Sequence, residues 1–200
     1  MEVFKMEKSD FFDLFPPEYR NLILRYKSTL LQIFQEYQVV IFIARKAVCF
    51  YKALVIGGYI DRPINCEIIS SRALTYNIVK NFIGKKVIVV EDVMIKGASL
   101  NNAMKLLYKG NIKADVYIMA RSKIEKNETD LFKNLNIIKT YTEMAKEDIY
   151  QLSKHIADFI EASMCPYNID QPIYSISCSD EKLLMDFLEK YNLIDITSSQ

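Results

Sequence analysis

The stretch that decides the fold is VIVVEDVMIKGASL, which runs from Val87 to Leu100. Its first four residues are apolar and β-branched, a pattern typical of a strand that is buried on both faces of a parallel sheet. Glu91 and Asp92 follow this run directly. Gly97 allows a backbone turn that other residues resist, and Ser99 is a good N-cap. The stretch therefore predicts a strand, a short loop and a helix that begins near Leu100.

Strands and helices alternate on both sides of this stretch. The runs QVVIFIA, INCEIIS and ADVYIMAR are further candidate strands, and NLNIIKT is a candidate fifth strand. The segments VCFYKALVIGG and NNAMKLLYKG are predicted helices, each ending at glycine. The alternation extends from Val39 to Thr140 and indicates βαβ units. The expected fold is α/β, with a mainly parallel central sheet and flanking helices.

The two ends of the chain have a different pattern. A helix with one broad apolar face is predicted over about 17–37. After Thr140, KEDIYQLSKHIADFIEASM and DEKLLMDFLEKYN are predicted helices, and QPIYSIS is an isolated strand-like run. We interpret residues 1–200 as one domain, with a core over about 38–140 and a small C-terminal helical cap, or hood, over about 142–200.

Composition excludes several classes of protein. The chain has 26 basic and 25 acidic residues, so its net charge of +1 indicates no dedicated nucleic-acid surface, although it leaves a local basic patch open. No apolar run approaches the ~20 residues that span a bilayer, and the stretch MEVFKMEKSD is not a signal peptide. Four widely spaced cysteines form no metal-binding motif, so we expect free buried thiols and a cytoplasmic location. The cysteines are Cys49, Cys66, Cys165 and Cys178.

The acidic pair and the loop after it suit a sugar phosphate. In an open parallel sheet, ligands bind beyond the carboxyl ends of the strands, where Glu91 and Asp92 are expected. Carboxylates accept hydrogen bonds from hydroxyl groups. The free N–H groups of the helix behind Ser99 attract anions, and Lys96 adds a positive charge in the same loop. This turn therefore combines carboxylates for the sugar hydroxyls with N–H groups and a lysine for the phosphate.

This stretch resembles the ribose-phosphate motif of the type I phosphoribosyltransferases. The resemblance implies that Glu91 and Asp92 face the ribose hydroxyls of phosphoribosyl pyrophosphate, as the catalytic pair. It also implies that the next loop wraps the 5′-phosphate. In this chain the loop departs from the family pattern at its first two residues, where threonine or Asp-Thr is usual. The loop residues are Ile95, Lys96, Gly97, Ala98 and Ser99.

Two neighbouring segments extend the resemblance to about residues 38–121. VVIFIARKAVCFYKAL resembles the first strand, pyrophosphate loop and helix of the family, but Arg45, Lys46 and Ala47 stand where the family has Arg-Gly-Gly or Ser-Gly-Gly. PINCEIISSRAL resembles the next strand, whose terminal arginine, here Arg72, meets pyrophosphate. The stretch from Ala73 to Phe82 occupies the place of the mobile catalytic loop of the family.

The resemblance also implies a cofactor and a base pocket. Mg²⁺ would be bound mainly through the substrate, with no direct protein ligand. Tyr167, Asn168 and Asp170 lie where the hood of the family closes over the nucleobase. The expected partner is phosphoribosyl pyrophosphate or a nucleotide, with a homodimer or a larger complex left open.

Three functional classes remain open at this point. The favoured one is a phosphoribosyltransferase that transfers a phosphoribosyl group to a nitrogenous base. The altered pyrophosphate loop instead favours a nucleotide-binding regulator, or a component of a larger complex, that has lost turnover. A purely structural module is the third class. The ordinary alternative for the acidic pair is a solvated turn, and for Arg45, Lys46 and Arg72 it is a set of solvated loop charges.

Overall fold

The computed structural model describes residues 15–44, 46–56, 58–123 and 142–162. The described residues form five strands, β1 (Val39–Phe42), β2 (Glu67–Ser70), β3 (Val87–Met94), β4 (Ala114–Ser122) and β5 (Thr142–Met144). They also form five helices, α1 (Pro17–Glu36), α2 (Lys46–Ile56), α3 (Tyr76–Lys80), α4 (Ala98–Lys109) and α5 (Lys146–Ala162).

The five strands form one sheet in the order β2-β1-β3-β4-β5, and all four pairings are parallel. This confirms the predicted α/β fold with a parallel sheet, in which β3 is the central strand. The chain places β2 on one side of β1 and the later strands on the other side. The order reverses between β1 and β3, and such a point in an open α/β sheet is where ligands bind.

Two layers of helices cover the two faces of the sheet. Ile88 and Val90 pack in a core with α1, α2 and α5, whereas Val87 and Val89 pack in a second core with α3 and α4. Every side chain of β1 is buried, as a strand covered on both faces requires. We call the α1–α2–α5 side the first layer and the α3–α4 side the second layer.

The structure corrects the predicted bounds around the acidic pair. Strand β3 continues through Glu91 and Asp92 to Met94, because β4 pairs with it as far as Met94↔Arg121. Helix α4 begins at Ala98, and its N-cap is Gly97 rather than Ser99. Gly97 has a φ of 70°, a left-handed conformation that glycine adopts without steric strain.

A short helix occupies part of the stretch that the resemblance assigns to a mobile loop. Helix α3 is capped by Thr75, whose hydroxyl accepts a hydrogen bond from the Ile78 N–H at 3.3 Å. The turn that ends α4 packs against α3, and a Cβ at Gly110 would lie 2.3 Å from Val79 Cγ1. The second layer is therefore a close-packed pair of helices.

At the C-terminal side, β5 is an edge strand of the sheet, and α5 packs on α2, β3 and β4. The candidate strand NLNIIKT and the tail beyond residue 162, with Cys165 and Cys178, lie outside the described residues. Cys49 and Cys66 are buried, as predicted. No helix among the described residues is both long enough and apolar enough to cross a membrane.

Candidate functional site at the carboxyl end of the sheet

The acidic pair lies where β3 extends past the end of β1. The last pairing between these strands is Phe42↔Val90, and the Ile43 N–H donates to the Val90 carbonyl at 2.9 Å. Beyond this point the chain turns from β1 toward α2, while β3 continues. Glu91 and Asp92 are therefore at the point where the strand order reverses.

The alternation of side chains between the two faces shifts at the acidic pair. Val90 belongs to the core of the first layer, and Val93, three residues later, packs against the same core. Met94 belongs to the core of the second layer. Neighbouring residues of a regular strand point to opposite faces. The shift occurs between Val90 and Val93, at the acidic pair itself.

One oxygen of each carboxyl group is held away from water, although Glu91 as a whole is partly exposed. Asp92 is 2% exposed, and its Oδ2 and the Oε2 of Glu91 are buried without a hydrogen-bond partner among the described residues. The pKa of Glu91 is raised to about 8, mainly by burial and next by the charge of Asp92, while Lys46 acts in the opposite direction. Burial also raises the pKa of Asp92 to about 6, against Lys46 and backbone N–H groups. Buried polar atoms normally have partners, so these two oxygens mark a place where a ligand can supply them.

A buried tyrosine, Tyr26 of α1, lies close to the acidic pair. It is fully buried, and its hydroxyl has no hydrogen-bond partner among the described residues. Burial raises its pKa well above the usual value, and the charge of Asp92 is the next largest cause. Its ring stacks on Phe50 at 5.3 Å and on Tyr117 at 5.8 Å. The helical apolar pattern assigned Tyr26 to the core and contained no signal for a polar role.

Lys46 is the positive charge that acts on both carboxyl groups. It is the first residue of α2, and it lowers the pKa of both Glu91 and Asp92. Its ammonium group also donates a hydrogen bond to Ser153 of α5. Ala47, which stands where the family has glycine, is buried. Lys46 therefore contacts the protein interior on the side of the first layer.

The loop after β3 has the opposite character. Lys96, Ala98 and Ser99 are exposed, and Ile95 and Gly97 are partly exposed. Helix α4 is 12 residues long, and no side chain caps its N-terminus. The backbone N–H groups of its first turn are thus available to an anion, and the helix dipole favours negative charge there.

A polar cavity lies beside this loop. It has a volume of about 320 Å³ and is bounded by the turns after β1 and β2 and by α4. The Ala44 N–H donates to Ser71 Oγ at 2.9 Å, and this bond joins the two turns. The cavity contains two of the predicted site residues, Arg72 and Ser99, but not the acidic pair. Its lining residues are Ala44, Ser71, Arg72, Ser99, Asn102, Ala103 and Leu106.

The predicted site residues thus fall into two groups at one end of the sheet. Lys46 accompanies the acidic pair on the first-layer side, and Arg72 and Ser99 line the cavity on the second-layer side. Arg45 and the predicted base pocket of Tyr167, Asn168 and Asp170 lie outside the described residues. Sequence reasoning missed Ser71, Asn102 and Tyr26. The only signal for Ser71 was its place beside Arg72 at the end of a predicted strand.

No protein-family model matches the chain, and no curated protein matches it significantly. Among solved structures, the chain is similar to a hypoxanthine-guanine-xanthine phosphoribosyltransferase. The identity is 19% and the TM-score 0.41, over 68% of this chain and 79% of that one.

Two further similar structures are assigned as sugar-phosphate isomerases. One is a phosphosugar isomerase of Clostridium difficile 630, with 14% identity and a TM-score of 0.38 over 94% of this chain. The other is a tagatose-6-phosphate ketose/aldose isomerase of Clostridium novyi NT, with 15% identity and a TM-score of 0.42 over 90% of this chain. The chain spans 52% and 46% of the length of these proteins, respectively. At these identities, any function must be argued from the residues of this chain.

Proposed function

We propose that this chain binds phosphoribosyl pyrophosphate or a nucleotide through its ribose 5′-phosphate, at the carboxyl end of β1 and β3. We further propose that it transfers the phosphoribosyl group to a nitrogenous base. The observation that carries the proposal is the pair of buried carboxyl oxygens without partners on Glu91 and Asp92. A vicinal diol supplies two hydroxyl donors, which would satisfy both oxygens at once.

The phosphate end of the ligand has its own support. The uncapped N-terminus of α4 offers backbone N–H groups, and Lys96 adds an exposed positive charge. Ser99, the second residue of α4, is exposed and can donate its hydroxyl. Only a few residues separate these groups from the acidic pair, as a ribose 5-phosphate requires.

Access to the acidic pair requires movement. Because Asp92 is 2% exposed, a ribose hydroxyl reaches its carboxylate only when the residues that cover it shift. Lys46 is a candidate for this movement, since it interacts with both carboxyl groups and with Ser153. In this proposal, ligand binding draws Lys46 away from Ser153 toward the negative charge of the ligand.

Transfer would proceed by displacement of pyrophosphate from C1′ of the ribose. The transition state has oxocarbenium character, so the protein contributes mainly by positioning and by placement of charge. Glu91 and Asp92 would hold the ribose, and Arg45, Lys46 and Arg72 would stabilise the leaving group. Mg²⁺ would neutralise pyrophosphate and be held mainly by the ligand, since this ion keeps several waters and takes few protein ligands.

The test is a binding screen combined with an assay of pyrophosphate release. Phosphoribosyl pyrophosphate, ribose 5-phosphate and nucleoside monophosphates are titrated with and without Mg²⁺, and release is measured with a panel of bases. The expected result is binding of ligands with a ribose 5-phosphate and Mg²⁺-dependent release with one base. If none of these ligands binds, the proposal fails.

A second candidate function is nucleotide binding without turnover. Two observations favour it. Ala47, the second residue of α2, has a buried Cβ where the family has glycine, and Lys46 is hydrogen-bonded within the protein. This candidate predicts that a nucleoside monophosphate binds while no base supports the release of pyrophosphate.

A further inference from the structure

The charge of this chain is unevenly distributed between the two layers. Between residues 71 and 114, which include α3 and α4, the only acidic residues are Glu91 and Asp92. Asp92 is buried and Glu91 lies within the sheet. The basic residues of the same segment are all exposed, and they are Arg72, Lys80, Lys85, Lys86, Lys96, Lys105, Lys109 and Lys113.

Most of these cations have no acidic partner in the part of the chain that the structure describes. Lys85 pairs with Glu67 at 3.1 Å and Lys86 with Glu36 at 3.7 Å, and both partners lie outside the segment. The other six form no ion pair with any described residue. The first layer differs, since α5 carries Glu147, Asp148 and Asp158 beside its two lysines. Although the net charge of the whole chain is only +1, the exposed charged side chains of residues 71–114 are all positive.

Two exposed aromatic rings lie among these cations. Tyr76, the first residue of α3, is 42% exposed, and Tyr108 of α4 is 50% exposed. Lys80 Nζ lies 4.6 Å from the centroid of the Tyr76 ring, and Lys109 Nζ lies 5.7 Å from it. These contacts connect α3 to the end of α4, where Tyr108 lies one turn after Lys105. We call Tyr76, Lys80, Lys105, Tyr108 and Lys109 the basic-aromatic face.

We propose that the basic-aromatic face binds single-stranded nucleic acid, with phosphates on its lysines and bases stacked on its tyrosines. Cations interleaved with aromatic rings are the usual means of binding a single strand without sequence readout. Helix α4, with 12 residues, is about 18 Å long and so can follow several nucleotides. Asn102 precedes Lys105 by one turn and adds an exposed amide that can hydrogen-bond phosphates or bases. The exposed tyrosine rings between the lysines favour nucleic acid over an anionic membrane, because charge alone suffices for a membrane surface whereas stacked bases need aromatic rings.

The binding test uses a fluorescein-labelled single-stranded oligonucleotide of about 15 nucleotides. Fluorescence anisotropy is measured with the whole chain between about 50 and 200 mM salt. Lys105→Glu/Lys109→Glu should weaken binding by about tenfold or more and reduce the salt slope by about 1.4, the contribution of two phosphate contacts. Tyr108→Ala should weaken binding while the slope stays unchanged, because it removes stacking and no charge.

The matched control is Lys146→Glu/Lys154→Glu, which makes the same change of charge at two exposed positions of α5. The proposal is overturned if the oligonucleotide does not bind, or if the control variant weakens binding as much as the α4 variant. It is also overturned if Tyr108→Ala has no effect, or if phosphatidylserine vesicles bind the chain more tightly than the oligonucleotide does. None of the substituted residues belongs to the ribose-phosphate site, so this test is independent of the proposed function.

Discussion

The loops that follow β1 and β3 leave neighbouring strands at the same end of the sheet, yet they differ in exposure, in backbone conformation and in hydrogen bonding. The loop after β3 has Gly97 with a φ of 70°, an exposed lysine and an uncapped helix N-terminus. The loop after β1 leads into a buried alanine, Ala47, and its Lys46 donates a hydrogen bond to Ser153. One loop is open toward solvent, whereas the described residues on either side of position 45 pack against the first layer.

This difference indicates which half of the ligand each loop can hold. Backbone N–H groups bind a phosphate only when no side chain blocks the approach, and Gly97 leaves that approach open. Ala47, by contrast, has a buried Cβ at the start of α2. We therefore expect the loop after β3 to provide most of the binding energy, and the loop after β1 to contribute through charge alone.

The largest expected effect comes from Gly97→Val. A β-branched residue in the left-handed region costs about 1–3 kcal/mol, and its side chain would crowd the phosphate approach. Binding of a nucleoside monophosphate should fall below detection in calorimetry. The melting temperature of the variant should also be lower than that of the wild-type chain. Gly84→Val is the control, because Gly84 has a φ of 80° and open space around it. It should lower the melting temperature similarly and leave ligand binding intact.

The next effect is that of Asp92→Asn. It should weaken binding of ribose 5-phosphate ligands by roughly 1–3 kcal/mol, the value of a lost hydrogen bond to a charged group. The free energy of unfolding at pH 8 should not fall, because the amide removes a buried negative charge. Asp158→Asn, an exposed change on α5, is the control for charge. Unchanged affinity in Asp92→Asn would mean that the acidic pair has no ligand role.

The acidic pair should also make stability depend on pH. Burial raises the pKa of Glu91 from 4.5 to about 8 and that of Asp92 from 3.8 to about 6. The folded chain therefore binds more protons than the unfolded chain between about pH 4 and 8. The free energy of unfolding without ligand should then fall as the pH rises through this window, by at most about 1.4 kcal/mol per pH unit for each group.

Denaturant unfolding at pH 5, 6, 7 and 8 measures this slope. The double variant Glu91→Gln/Asp92→Asn should lose most of it. The matched control is Glu147→Gln/Asp148→Asn, an adjacent acidic pair that is exposed on α5. A slope that persists in the first variant would show that the pair is ionised in the folded chain and solvated.

The smallest expected effect on monophosphate binding is that of Lys46→Ala. A monophosphate lacks the pyrophosphate that Lys46 would contact, so its affinity should change by less than about 1 kcal/mol, the scale of a partly exposed charge pair. If the chain is an enzyme, pyrophosphate release should fall clearly in this variant. Lys154→Ala serves as the control. A large loss of monophosphate affinity would contradict the division of roles between the two loops.

The fold could be predicted from the sequence because its signals are local and repeated. The β-branched run from Val87 to Val90 and the similar run at Val39 each predict a strand buried on both faces. The bounds could not be predicted in the same way. Strand β3 reaches Met94 only because β4 is equally long and pairs with it, and this pairing involves residues far apart in sequence.

The candidate site was predictable only in part. The position of Glu91, Asp92 and Gly97 follows from a strand, a turn and a helix in succession. The burial of Asp92, however, depends on how helices distant in sequence cover the sheet. The bond between Lys46 and Ser153 joins residues 107 positions apart. No pattern near either residue indicates such a contact.

The central claim is that Asp92 and its neighbours hold a ribose 5-phosphate, and calorimetric titration of ribose 5-phosphate into wild type and Asp92→Asn tests it most directly. The account predicts saturable binding to the wild-type chain and a loss of roughly 1–3 kcal/mol in the variant. Binding of equal strength to both proteins, or to neither, would contradict it.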